Sequence, residues 1–342
     1  MLCYVHVKVE RLVCQAVEFA QGCKMSVDTE ALVNALKNKR EAEGLSLRAL
    51  SSVVGISFSS LARIERGEGQ PDNNSTIRLL EWLGPEGRNA GLAFEDVALV
   101  HFRANKNIQS KTVKSLLNIA SRLKEKYGSE SYAVRDDELH ESYTNTSLND
   151  TIALSKSEME ERAKQLRYDI GIDLDQPLNA LNIEIEGVQV FTPTDVDSIP
   201  QTLLDHLYGQ GSGEWSAMSV PLDEGGDKWA ILRNNSHSIE RQKVTYLEEC
   251  WHILLGHKLT KIAKISDSYG RTYDSVEEHD AYYLAGATLL PAEIVVAAVE
   301  ANEGHTLAER FGTSRELVEY RIKRLGLWSK YRGKEIKIVQ VP

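Results

Sequence analysis

The chain has 342 residues, of which 42% are hydrophobic and 26% charged, and this length predicts about two folded domains. No run approaches the roughly 18 consecutive apolar residues of a membrane-spanning helix, which excludes an integral membrane protein. Lys and Arg number 40 against 50 Asp and Glu, and the net charge of −10 excludes a uniformly basic nucleic-acid-binding protein but not a local basic surface.

Residues 1–24 hold three of the four cysteines and lack the apolar core and small-residue cleavage site of a secretory signal. We interpret them as an N-terminal extension. We also hypothesise that Met25 is the true start, because a regular helical pattern begins directly after it. So few cysteines exclude a disulfide framework and favour a reducing, cytoplasmic setting.

The next segment has the pattern of a helix-turn-helix. Apolar residues at helical spacing begin near Leu32, and Ser46 precedes a second apolar-periodic run, where a serine typically caps a helix. A glycine turn at residues 55–57 leads into a short helix over residues 58–64, and residues 65–67 end it. Two short helices joined by a glycine-containing turn predict a helix-turn-helix.

The segment LSLRALSSVVGISFSSLARIERGEGQP resembles the Cro/cI-type (XRE) helix-turn-helix family, and the resemblance extends over residues 27–83. It implies an all-α, lambda-repressor-like bundle of five helices in a domain of residues 25–84, whose second motif helix enters the major groove of double-stranded DNA. It places Ser46 at a phosphate. It assigns four residues to the bases: Phe58, Ser59, Ser60 and Arg63. Arg63 is the candidate for a bidentate guanine contact, and Ser57 is expected to cap the helix.

A basic segment over residues 101–128 lies within a predicted helical extension of residues 85–135. Its apolar spacing predicts an amphipathic helix, which either adds phosphate contacts or serves as a connecting or dimerising helix. The alternative to DNA binding for the whole N-terminal module is a protein-interaction bundle, because the charge of the helix-turn-helix domain is roughly balanced.

The acidic, polar stretch of residues 136–150 predicts a linker, which we extend to residues 136–156. Residues 157–330 then predict an α+β domain, followed by a C-terminal tail of residues 331–342. In this domain a helix over residues 159–170 precedes a strand within residues 183–193 and a two-stranded hairpin within residues 214–234.

The segment SIERQKVTYLEECWHILLGH predicts a helix that carries the chemistry of this domain. Glu248 and His252 stand four residues apart and so project from one face, with Glu249 beside them. The spacing E-E-x-x-H is that of the zincin H-E-x-x-H with its first histidine replaced by glutamate. A second helix, over residues 276–291, offers four candidates for a third ligand: Glu277, Glu278, His279 and Asp280.

Several features of residues 160–328 resemble the ImmA/IrrE metallopeptidase family. They are the hairpin, Arg241, the LLGH ending, the later DA…LA…LLP helix and the tail TLAERFGTSRELVEYRIKRLGL. The family implies a zincin-like domain that cleaves repressor-type regulators. The resemblance gives Glu248, His252 and Asp280 as metal ligands and Glu249 as general base. The helix pair within residues 306–327 is expected to pack against this domain, the alternative being a second DNA-binding motif.

The exchange of histidine for Glu248 adds about one negative charge to the ligand set, so a bound metal becomes a weaker Lewis acid. Oxygen ligands shift the preference from zinc towards manganese or magnesium, so zinc and manganese are the candidate ions. Three residues near the predicted site have other expected roles. His257 is expected at the surface or in support of a ligand, His279 is a substitute ligand, and Cys250 is a core residue.

These patterns predict a multi-domain, cytoplasmic transcriptional regulator that binds double-stranded DNA as a homodimer, with the second domain acting as a sensor or a weakened protease. One alternative is an active metal-dependent endopeptidase that cleaves a partner repressor. The other is an antitoxin-like protein whose second domain grips a partner without metal.

Overall fold

The computed structural model describes residues 28–90, 92, 95–104, 108–128, 154–223, 225–265, 268–272 and 274–333. The predicted extension at residues 1–24, the start at Met25, the linker at residues 136–150 and residues 334–342 of the tail lie outside these ranges. Within them no single helix is long and apolar enough to cross a membrane. Two bent helix pairs, Leu47–Val54 with Phe58–Glu65 and Ser275–Leu289 with Ala292–Glu300, meet the length and composition requirements only together.

Five helices form the N-terminal bundle, as the sequence predicts: α1 (Thr29–Ala42), α2 (Leu47–Val54), α3 (Phe58–Glu65), α4 (Asn73–Leu83) and α5 (Pro85–Asn89). Ser46 caps α2 and Ser57 caps α3, accepting the backbone N–H groups of Ala49 at 3.1 Å and Ser60 at 3.2 Å. Gly55 between them has φ of 63°, the left-handed conformation that favours glycine. The helices share an apolar core: Leu32, Leu36, Leu50, Leu61, Ile64, Leu79 and Leu83.

The described strands form one six-stranded sheet of order β2-β4-β3-β1-β5-β6. They are β1 (Glu95–Ala104), β2 (Val188–Phe191), β3 (Trp215–Pro221), β4 (Trp229–Arg233), β5 (Thr260–Ile265) and β6 (Ser268–Arg271). β2 and β4 pair in parallel, and the other neighbours are antiparallel. With the helical bundle this confirms the predicted multi-domain arrangement of an all-α and an α+β part.

Strand β1 corrects the prediction of a helical extension over residues 85–135. It pairs with β3 on one side and β5 on the other, so a strand encoded directly after the bundle lies inside the sheet. The reason is that residues 98–102 form a short apolar run, which can be buried on both sides once both strand edges are paired. The predicted amphipathic helix begins later, at α6 (Ser110–Tyr127), which buries Leu116, Ile119 and Leu123.

Alternate residues of β1 face opposite sides of the sheet. Val100 and Phe102 join the core beneath α6. His101 and Arg103 face the other side, where they meet α9 (Ile239–Leu254).

The remaining helices of this domain are α7 (Lys156–Asp169), α8 (Gln201–Tyr208), α10 (Ser275–Leu289), α11 (Ala292–Glu300), α12 (Leu307–Phe311), α13 (Arg315–Arg324) and α14 (Trp328–Tyr331). One apolar core joins α7, α9 and α10 to α12 and α13, through Leu307, Phe311 and Leu317 among others. The packing expected for residues 306–327 is therefore confirmed. Cys250 is fully buried in the same core, as predicted.

A buried ion pair in this core gives a test of the fold. The guanidinium of Arg321 has no exposed surface and donates to both carboxylate oxygens of Glu160 at 2.8 Å. We expect Glu160→Ala to lower the free energy of unfolding by about 3 kcal/mol, because it leaves a buried charge uncompensated. The control is Glu293→Ala, which removes an exposed partner of Lys164 and should cost less than about 1 kcal/mol. Equal losses in urea denaturation would contradict this account.

Candidate functional site

The five residues predicted to contact DNA are all exposed: Ser46, Phe58, Ser59, Ser60 and Arg63. Helix α3 buries Leu61 and Ile64 against the bundle and leaves Phe58, Ser59, Ser60 and Arg63 exposed, while Ser46 lies at the start of α2. Phe58 is 46% exposed, and the guanidinium of Arg48 lies 5.6 Å from the centre of its ring. The second motif helix therefore presents an uncovered polar face.

Helix α9 positions the E-E-x-x-H residues below the sheet. Ser238 caps its first turn, and Leu247, Cys250 and Trp251 anchor it in the core. Glu248 and Glu249 are each 1% exposed and His252 is 5% exposed. These groups are enclosed by protein rather than displayed in an open cleft.

A cation from β1 holds the first of these carboxylates. Nη1 of Arg103 donates to Oε1 of Glu248 at 2.5 Å and lies 3.7 Å from Oε2 of Glu278. The ring of Tyr282 lies 5.3 Å from the guanidinium carbon. Arg103 lies 145 residues from Glu248 along the chain, so the sequence alone indicates no role for it in this cluster.

Imidazole rings surround His252. His101 of β1 stacks on it with ring centres 4.9 Å apart and stacks on Trp229 at 5.4 Å on its other side. Nδ1 of His252 lies 2.9 Å from Nδ1 of His257, so His257 supports the predicted ligand directly. Nε2 of His252 lies 4.0 Å from Oε1 of Glu278.

Among the polar residues that begin α10, Glu278 lies beside His252. Asp280 accepts the backbone N–H of Leu154 at 3.3 Å. Burial lowers the pKa of His257 and the nearby carboxylate of Asp280 opposes that shift, so Asp280 also lies close to the cluster. The sequence offers Glu278 among four candidates for the third ligand, and the resemblance to the ImmA/IrrE family selects Asp280. Glu277 accepts the N–H of Lys258, and His279 lies beside the ring of Tyr283.

Burial dominates the electrostatics of the cluster. It raises the pKa of Glu249 to about 7, although a hydrogen bond from Ser219 opposes the shift. Burial also raises the pKa of Glu248, with Arg103 acting against it. It lowers the pKa of His252 to about 2 and that of His101 to about 3. Both imidazoles are therefore neutral at pH 7, and Arg103 supplies the positive charge.

Zincin-type sites imply a metal ion, and the arrangement does not fit one. Within the described ranges no three His, Cys, Asp or Glu side chains converge to form a metal site. The guanidinium of Arg103 already contacts Glu248 and lies near Glu278, where a shared cation would have to bind. A second cation in that place would be repelled by Arg103.

The raised pKa of Glu249 predicts that stability falls with rising pH. A buried carboxyl with a raised pKa stabilises the fold below its ordinary pKa of 4.5, and this stability is lost as pH rises through about 7. Between pH 5 and pH 8, the free energy of unfolding of Glu249→Gln, measured by urea denaturation, should therefore fall by about 3 kcal/mol less than that of the wild type. The matched variant Glu240→Gln, in the first turn of α9, should follow the wild type because it lies outside the buried cluster. Parallel curves for all three proteins would refute the assignment.

Two family models match the chain. A helix-turn-helix family model matches residues 36–81, and the model of the IrrE N-terminal-like domain matches residues 211–323. The second match contains α9 and α10, and peptidases of that family generally depend on a metal. Searches of curated proteins and of solved structures return no match. The chain thus joins a helix-turn-helix domain of the Cro/cI (XRE) type to a metallopeptidase-like domain of the ImmA/IrrE type.

Proposed function

We propose that the protein is a sequence-specific transcriptional regulator that acts in the cytoplasm and whose ImmA/IrrE-type domain is a sensor rather than a peptidase. The observation that carries this choice is the contact between Arg103 and Glu248. It neutralises the residue at the first-ligand position with a side chain of the protein itself. The exposed polar face of α3 and the helix-turn-helix match support DNA binding.

Two features weigh against the alternative of an active endopeptidase. A hydrolytic site must admit a peptide bond to its general base, and Glu249 is 1% exposed. Strand β1 also covers the edge of β3 that runs past α9, placing His101 opposite Ser219 and Arg103 opposite Ala217. An extended peptide therefore has no free strand edge beside Glu249 to pair with.

A chain of hydrogen bonds supports the sensor role, because it leads from the cluster to the DNA-binding bundle. Arg271 of β6 donates to the carbonyl groups on either side of Arg103, those of Phe102 and Ala104, at 3.0 Å each. The backbone N–H of Arg271 donates to Oδ1 of Asn74 at 2.9 Å, in the first turn of α4. A change at Arg103 therefore acts on the strand that holds the bundle.

The partner of the helix-turn-helix domain is double-stranded DNA, bound by a homodimer at two half-sites. Domains of this type place one recognition helix in the major groove at each half-site, about 34 Å apart. A repressor or other regulator remains the proposed protein partner of the second domain, bound without cleavage.

Loss of base contacts tests the DNA-binding assignment. We expect Ser59→Ala with Arg63→Ala to weaken binding to an operator selected from randomised duplexes by about 10- to 100-fold, since a bidentate arginine contributes about 1–3 kcal/mol. The measurement is a mobility-shift titration at physiological salt. Arg162→Ala removes an exposed arginine of α7 and should have no effect.

Unchanged binding of the double variant would exclude α3 as the recognition helix. The selected operator should contain two similar half-sites about 10 base pairs apart. Full affinity for a single half-site would refute the homodimer.

Coupling between the cluster and the bundle is tested with Glu248→Gln, which removes the charge that holds Arg103. We expect operator affinity to fall about fivefold or more, because a loosened β1 leaves the bundle less ordered before it binds. The same substitution in an Asn74→Ala background should have little further effect. Glu240→Gln is the matched control on α9. Additive effects of Glu248→Gln and Asn74→Ala would contradict a connection through Arg271.

A further inference from the structure

The guanidinium of Arg103 lies where a buried carboxylate, Glu248, and a half-buried one, Glu278, share one positive charge. Its Nη1 contacts Glu248 at 2.5 Å and lies 3.7 Å from Glu278. The Glu278 side chain is 14% exposed, and its other oxygen lies 4.0 Å from Nε2 of His252. Arg103 therefore meets the electrostatic demand that a metal ion would otherwise meet in this cluster.

Arg103 and a divalent ion cannot both occupy this place. Like charges repel strongly within a few ångströms in a partly buried site, and both cations would draw on the same two carboxylates, Glu248 and Glu278. Once Arg103 is withdrawn, the carboxyl groups of Glu248 and Glu278 lose their cationic partner beside the imidazole of His252. On giving up their protons to a metal ion, two carboxylates and an imidazole form a donor set that suits zinc or manganese.

Arg103 is nevertheless able to leave without unravelling its strand. Its side chain is 37% exposed, so its outer part already borders solvent. The pairing of β1 with β3 shifts register between Arg103 and Ala104, and such an irregularity allows a side chain to be re-aimed. The neighbouring side chains Val100 and Phe102 keep β1 anchored on the other face of the sheet.

We propose that Arg103 is an internal cation that competes with divalent metal ions for Glu248 and Glu278, so that the chain takes up a metal only when Arg103 is withdrawn. The metal is then an effector rather than a resident cofactor. This inference deepens the proposed function, because withdrawal of Arg103 acts on the contacts that lead to Asn74.

Calorimetric titration of the full-length chain with ZnCl₂ and with MnCl₂ tests the competition. Arg103→Ala should bind about one equivalent at least tenfold more tightly than the wild type. Arg103→Lys, which keeps the charge, should resemble the wild type. The double variant Arg103→Ala with Glu248→Ala should lose the gain. Equal affinity of the wild type and Arg103→Ala would overturn the proposal, as would a folded Arg103→Ala protein that binds no metal.

If Arg103→Ala does not fold, Glu248→His still tests whether Arg103 competes with a metal ion. It removes the partner of Arg103 and supplies an imidazole, so its metal affinity should also rise at least tenfold. Glu248→Gln frees Arg103 but offers a poor ligand and should show no gain. Absence of a gain in Glu248→His, or the same gain in both, would overturn the proposal.

Operator binding of the same variants separates the two hypotheses. Metal uptake by Arg103→Ala with no effect of the cluster on operator affinity would refute the sensor role and leave the competition standing. If operator affinity responds to Glu248→Gln but neither Arg103→Ala nor Glu248→His takes up metal, the competition is refuted and the sensor role stands.

Discussion

A carboxylate that is 1% exposed needs a proton or a positive partner, and Glu248 has the guanidinium of Arg103. Much of the surrounding arrangement follows from this contact. It requires β1 beside β3, because only a strand in that position carries Arg103 over α9. It also places His101, two residues earlier on the same face, against His252.

The same strand explains how two unlike domains act as one protein. β1 follows the helical bundle in sequence yet lies inside the sheet of the second domain. Helix α4 meets that sheet at β6 through Asn74 and at β5 through an ion pair between Glu81 and Lys261. In the proposed sensor, movement of β1 would reach the bundle through these contacts without a flexible transmission element.

Local patterns allowed much of this to be predicted from sequence. The caps Ser46 and Ser57 and the i, i+4 pair of Glu248 and His252 depend only on helix geometry, and the structure has them as predicted. Arg103 was assigned to a basic helix, because nothing near it in sequence indicates a partner 145 residues away. The resemblance selects Asp280 as the third ligand, and the structure also places Glu278 beside His252, a contact that spacing along one helix does not reveal because it depends on how α10 packs against α9.

Hydrogen–deuterium exchange of the full-length wild type and Glu248→Gln tests most directly whether the Arg103–Glu248 contact holds the strand that joins the domains. The account predicts faster exchange in Glu248→Gln at β1, at β6 and in the first turn of α4, with the core of α9 and α10 unchanged. Faster exchange confined to α9, with β1 and α4 as protected as in the wild type, would contradict it.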